Sequence, residues 1–146
     1  MKRILVATSV ALGCAATSAL ADPVNLQPGQ WSYEITFTVP GANMNPVIES
    51  DSDCLGEWES KLEPTALAKE FAGGAECTAS NVSQDSNRVT FNLDCPGQAM
   101  RSAKIVLTHN YSSFLMDGDV DLDVGEGRTM ASKMKVDAKR TGACTS

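Results

Sequence analysis

From Ser113 to Val124 the chain alternates. Phe114, Met116, Val120, Leu122 and Val124 fall on one parity, and Asp117, Asp119, Asp121 and Asp123 fall on the other. Successive side chains of a strand point to opposite faces, so this pattern predicts a strand with one hidden apolar face and one wet acidic face. Gly125-Glu126-Gly127 then offers a loop with residues free to take positive φ. From Met130 to Lys139 the alternation resumes, with Met134, Val136 and Ala138 on one side and Lys133, Lys135 and Lys139 on the other. Folding the chain about Glu126 sets Asp119 opposite Lys133, Asp117 opposite Lys135 and Met116 opposite Val136. A slip of one residue would set charge against the apolar face, so the pattern selects this register.

The same period-two reading predicts five further strands. Trp31, Tyr33, Ile35, Phe37 and Val39 alternate with polar residues after the Pro28-Gly29 turn. Val47 to Cys54 is a weaker strand. Val89, Phe91, Leu93 and Cys95 share a face of a hairpin running from Cys77 to Cys95, with its turn at Asp85-Ser86-Asn87 and Cys77 opposite Cys95. Pro96 to Ser102 reads as a loop, and Lys104 to Asn110 as a strand that turns at Tyr111-Ser112, setting His109 opposite Phe114 and Lys104 opposite Asp119. Between the second and third strands the period changes. Trp58, Leu62, Ala66, Leu67 and Phe71 have helical spacing, Pro64 suits a first turn and Gly73-Gly74 a stop. One short helix is expected over Thr65 to Ala72, after an irregular turn near Trp58, with its apolar side on the sheet. The sum is a mainly β chain: a curved antiparallel meander or half-open barrel of about seven strands with one inserted helix, with a two-sheet sandwich as the alternative.

Composition places this fold. Lys2 and Arg3, the apolar run Ile4 to Ala16 and Ala19-Leu20-Ala21 read as a cleavable signal peptide over residues 1–21, leaving a single domain over 22–146. The apolar run is too short to span a bilayer, and the mature chain holds no second one. Leu12-Gly13-Cys14 offers an alternative, a lipoprotein anchored through Cys14. Loss of Lys2 and Arg3 takes the net charge of −6 to −8. Such an acidic chain has no electrostatic reason to bind nucleic acid. Cys54, Cys77, Cys95 and Cys144 remain, an even number in an exported chain, and read as two disulfides. Cys77–Cys95 and Cys54–Cys77 are both open pairings, and either leaves Cys144 to pin the C-terminus.

Candidate chemistry is sparse. Same-face aspartates lie ~7 Å apart along a strand and repel by only ~0.6 kcal/mol per pair in water. Each facing lysine returns roughly 0.2–1 kcal/mol, so the acidic face requires no cation. No C-x-x-C spacing points to zinc or redox work, and no metal or cofactor is expected. His109 is the only histidine. It points inward beside Phe114, and no G-x-S-x-G elbow accompanies it, so no catalytic residue is assigned and the protein is read as a non-enzyme. Asn81-Val82-Ser83 and Asn110-Tyr111-Ser112 match glycosylation acceptors by composition alone. The residues that would line an apolar concavity are Trp31, Tyr33, Phe37, Phe91, Phe114 and Met116, equally the core of a small domain. The expectation is a binding module for a small apolar or amphipathic ligand, or a structural domain that contacts envelope proteins.

Leu26-Gln27-Pro28-Gly29-Gln30-Trp31 at the start, the spaced cysteines, and Lys139-Arg140-Thr141-Gly142-Ala143-Cys144 at the end carry a resemblance. The chain resembles the domain of unknown function family 3617, small exported bacterial proteins, over nearly the whole mature length. The resemblance implies an extracytoplasmic domain with paired cysteines as its framework, and no activity.

Overall fold

The computed structural model describes residues 23–71 and 76–145. The signal segment 1–21, Cys14, and the helix end at Ala72 with its Gly73-Gly74 stop lie outside the described residues. In chain order the elements are β1 (Val24–Asn25), β2 (Gly29–Thr38), β3 (Val47–Leu55), β4 (Lys61–Leu62), α1 (Pro64–Phe71), β5 (Thr78–Asp85), β6 (Arg88–Asp94), β7 (Met100–His109), β8 (Ser113–Asp123) and β9 (Thr129–Gly142). Seven of the strands form one antiparallel sheet in the order β3-β2-β9-β8-β7-β6-β5, which is not closed into a barrel. Strands β5 to β9 are an unbroken meander, and the β2–β3 hairpin is added on the free side of β9.

The central register follows the side-chain alternation. Asp119 pairs with Lys133, Asp117 with Lys135 and Met116 with Val136, while His109 pairs with Phe114 and Lys104 with Asp119. Met116, Val120, Val136, Ile105, Leu107, Val89, Phe91 and Leu93 form one buried cluster. Asp117, Asp119, Asp121, Lys133 and Lys135 stand on the opposite, solvated face. Gly118 lies on the buried side, where a Cβ would come within 3.0 Å of Ile105 Cδ1 and 3.2 Å of Met134 Cε, so its missing side chain is what lets those two close over it.

The layer on the apolar face comes from the front of the chain. β1 pairs with β4. Val24, Leu67 and Ala68 join the buried cluster, and α1 packs against β5 and β6. The helix begins at Pro64, one residue before the expected start, because proline's fixed φ suits a first turn and its missing N–H is no loss there.

Four local expectations need correction. The β5–β6 pairing holds from Thr78 to Ser80, then shifts by one residue before Ser83. Asn81 takes φ of 51° at this bulge. The extra residue turns Val82 toward the core in place of Asn81, so the apolar side chain wins over strict alternation. The turn tightens accordingly to Ser86-Asn87, with Ser86 at φ of 54°. Strand β7 starts at Met100, inside the segment read as a loop, with an irregularity that absorbs the polar Arg101. Val124 lies beyond β8 and is 44% exposed, because its N–H already belongs to the turn and donates to Arg128 O.

The disulfides are Cys77–Cys95 and Cys54–Cys144. The first joins neighbouring strands at the start of the β5–β6 hairpin. The second straddles β2, since Gln30 pairs with Cys54 on one side and with Gly142 on the other.

His109 is half-buried, its Nε2 is closed off from solvent, and burial lowers its pKa. A histidine held below its unfolded value of about 6.5 contributes stability that is present above that pH and lost as pH falls through the folded value. The wild-type chain is therefore expected to gain stability from about pH 5 to pH 7 relative to His109→Phe. Urea midpoints of both chains across that window check this, and parallel curves would remove the histidine from the account.

Candidate functional site

Hidden faces, wet faces and hollows assign different roles to the residues singled out above. Of the six expected to line an apolar concavity, Trp31, Phe91 and Met116 are at most 2% exposed. Phe91 and Met116 belong to the buried cluster shared with Val24, Leu67 and Ala68. Tyr33, Phe37 and Phe114 remain half-buried. Phe114 sits between the rings of Trp31, 5.9 Å away, and Tyr33, 6.1 Å away, so three of the six are brought together. Burial pushes the Tyr33 phenol up, and the carboxylates of Asp53, Asp51 and Glu59 push it further in the same direction.

On the ionic face an open groove of about 930 Å³ runs across the strands. Arg88, Lys104, Lys133 and Lys135 line it together with Asp85, Asp117 and Asp119. Lys133 Nζ lies 2.6 Å from Asp119 Oδ1. That hydrogen bond and charge hold the Asp119 carboxyl below its usual range and raise the lysine. The Asp123 carboxyl is lowered first by the Gly125 N–H, then by Arg101, its ion-pair partner. The charges answer one another across strands, as in a solvated face. Among the described residues no group of three or more His, Cys, Asp or Glu side chains is placed to hold a metal ion.

A different hollow breaks the burial rules. A groove of about 630 Å³ opens at one corner, lined by Leu26, Pro28, Trp58, Ser60, Lys61 and Tyr111 among others. Trp58 is 93% exposed and Tyr111 54%. Large aromatic side chains in water are the informative exception, because burying one contributes so much to folding.

The corner that presents them is tightly bonded. Leu26 N–H donates to Ser60 O at 2.8 Å and Gln27 N–H to Tyr111 O at 2.7 Å, tying the segment before β2 to both turns. The turn carrying Trp58 is closed by Ser60 N–H to Gly56 O, by Ser60 Oγ to Glu57 O, and by Gly56 N–H to the Glu59 carboxylate. Asn110 Oδ1 accepts from the Ser112 and Ser113 N–H groups, which fixes the turn carrying Tyr111. Beneath the groove, Trp31 Nε1 donates to Gln27 O at 3.0 Å and Arg140 Nε to Pro28 O at 2.8 Å. Gly29 has φ of 144°, and a Cβ there would run into Gly142 O and the Arg140 guanidinium. The Pro28-Gly29-Gln30-Trp31 start and the Arg140 to Cys144 end, far apart in sequence, thus build one rigid floor. Sequence reading missed Trp58 and Tyr111 as surface groups. The available signal was that both sit in turn-forming segments, outside any alternating run.

No curated protein and no solved structure matches the chain. The model of a family described as protein of unknown function (DUF3617) matches residues 26–144, and the chain belongs to that family.

Proposed function

We propose that this is an exported, non-enzymatic binding module that takes a small amphipathic ligand in the groove between Leu26, Pro28, Trp58 and Tyr111. The observation that carries the reading is the near-complete exposure of Trp58 at the lip of a hollow of ligand size. The rigid hydrogen-bonded turns support it, since a pre-organised site loses less entropy on binding. Leu26, Pro28 and the two rings supply apolar surface, while Lys61 and Glu57 supply polar anchors at the rim. Export fits the two disulfides, which persist in oxidising compartments.

The chain holds two tryptophans, one buried and one in water, so fluorescence reads the groove directly. Dodecylphosphocholine below its micelle concentration is expected to shift Trp58 emission to the blue and to leave Trp31 unchanged. Trp58→Phe should abolish the shift without moving the unfolding midpoint, as that side chain contributes almost no burial. Native mass spectrometry of freshly purified protein gives a second readout. Absence of both an adduct and a shift would overturn the proposal.

A further inference from the structure

We propose that the free edge of β3 is a docking strand for an extended cationic segment of another protein, which adds beside it as an eighth strand. This inference is independent of the groove at Trp58.

The sheet has two edges, β3 and β5. They differ in the way that decides whether a strand can be added. β5 is interrupted by its bulge at Asn81, a device that blocks edge pairing, and α1 packs beside it. β3 keeps unbroken register with β2 through nine pairs, from Gly29↔Leu55 to Phe37↔Val47. An unbulged strand of that length presents a regular row of donors and acceptors.

Part of that row is already occupied. The Ser52 N–H donates to its neighbour Asp51 Oδ1 at 2.7 Å, and the Cys54 N–H to Asp53 Oδ1 at 2.7 Å. Donors of this parity therefore point away from β2. In an antiparallel pair without a register shift, Ile48 and Ser50 share that direction. Their N–H groups face solvent with no such cap among the described residues. The same end of the strand exposes Met44 at 63%, Val47 at 52% and Ile48 at 60%. Open backbone groups and exposed apolar side chains coincide there, the combination used in strand addition.

Charge selects the occupant. Glu49, Asp51 and Asp53 share one face of β3, all exposed. A second copy of this chain pairing edge to edge would set these carboxylates against one another, and like charges directly opposite destabilise. A segment with Lys or Arg at alternate positions meets the row favourably and puts its intervening apolar residues beside Ile48. The Asp51 and Asp53 caps admit such a partner while discouraging neutral strands, because their carboxylates must be met by opposite charge.

The test uses the mature, disulfide-bonded chain, isotopically labelled, and the peptide acetyl-(Lys-Val)4-amide. Amide exchange at Ile48 and Ser50 is expected to slow about tenfold or more on adding saturating peptide, with no change along β5. Ser50→Pro removes an outward N–H that β2 does not use, an edge position where proline is tolerated, and should weaken binding about tenfold with the unfolding midpoint retained. If that variant loses its fold, the exchange readout on the wild-type chain decides. Three outcomes overturn the proposal: binding without protection at Ile48 and Ser50, which is electrostatic adhesion only; equal protection by acetyl-(Glu-Val)4-amide; or sedimentation showing that the chain alone already dimerises through this edge.

Discussion

Replacing Cys54 and Cys144 together with serine is expected to lower stability by about 4–5 kcal/mol, against about 3 kcal/mol for Cys77 and Cys95. The difference comes from loop length: the first bridge spans 90 residues and the second 18. A longer loop removes more freedom from the unfolded chain when it is closed. The first bridge also has a local role. Cys54 and Gly142 flank Gln30, so the bond clips β3 and the C-terminus across β2. Urea unfolding of the two double variants gives both values. A larger loss for the Cys77/Cys95 pair would show that native packing of that buried bridge, rather than loop closure, governs the effect.

Trp31→Ala is expected to cost about 3–5 kcal/mol, the range for emptying a buried aromatic site. Trp31 is fully buried, lies 5.9 Å from Phe114, and holds the Gln27 carbonyl through its indole N–H. Its removal leaves a void beside the Phe114 ring and strips a part-buried carbonyl of its donor, and leaving that acceptor unpaired adds at most about 1–3 kcal/mol. Trp31→Phe restores part of the ring but not the donor, and should fall between the two chains. Denaturant midpoints of the three rank the ring against the hydrogen bond. A loss below about 1 kcal/mol for the alanine variant would mean the corner collapses freely to fill the space.

These effects bear on the groove as well. Trp31 and Arg140 support the backbone of Gln27 and Pro28, and that backbone carries the groove wall. Trp58 and Tyr111 stand on turns tied to the same segment. Loosening the floor should therefore weaken ligand binding before it unfolds the sheet, because the turns have little apolar burial of their own.

The back half of the fold was legible because three signals agree there. Alternation, a glycine-rich turn and complementary charge all specify the β8–β9 register, and any slip would expose Met116 and Val136. The β7–β8 register followed from alternation and the Lys104–Asp119 charge pair, with a turn that holds no glycine. The bulge at Asn81 was illegible. Ser80, Asn81 and Ser83 offer no apolar pattern strong enough to mark an inserted residue.

Most of the candidate groove was hidden too. Its walls come from the segment before β2, the turn after β3 and the turn before β8, and period-two or helical patterns say nothing about turns. A tryptophan in a sequence reads as core by default, and Trp31 obeys that default while Trp58 does not.

Taken alone, the order of polar and apolar residues determined the body of the seven sheet strands, their facing in the meander, the helix and which side is wet, while the short β1–β4 pair went unread. Each feature that was read is settled by neighbours in sequence, where burial of one face outweighs every other local term. The tertiary structure decided the rest: that β2 joins the last strand, which cysteine meets which, that β3 stays an open edge, and that the two ends of the chain build one floor beneath Trp58. Those outcomes depend on contacts between residues more than a hundred positions apart, such as Ser32 with Lys139, and no local periodicity encodes them.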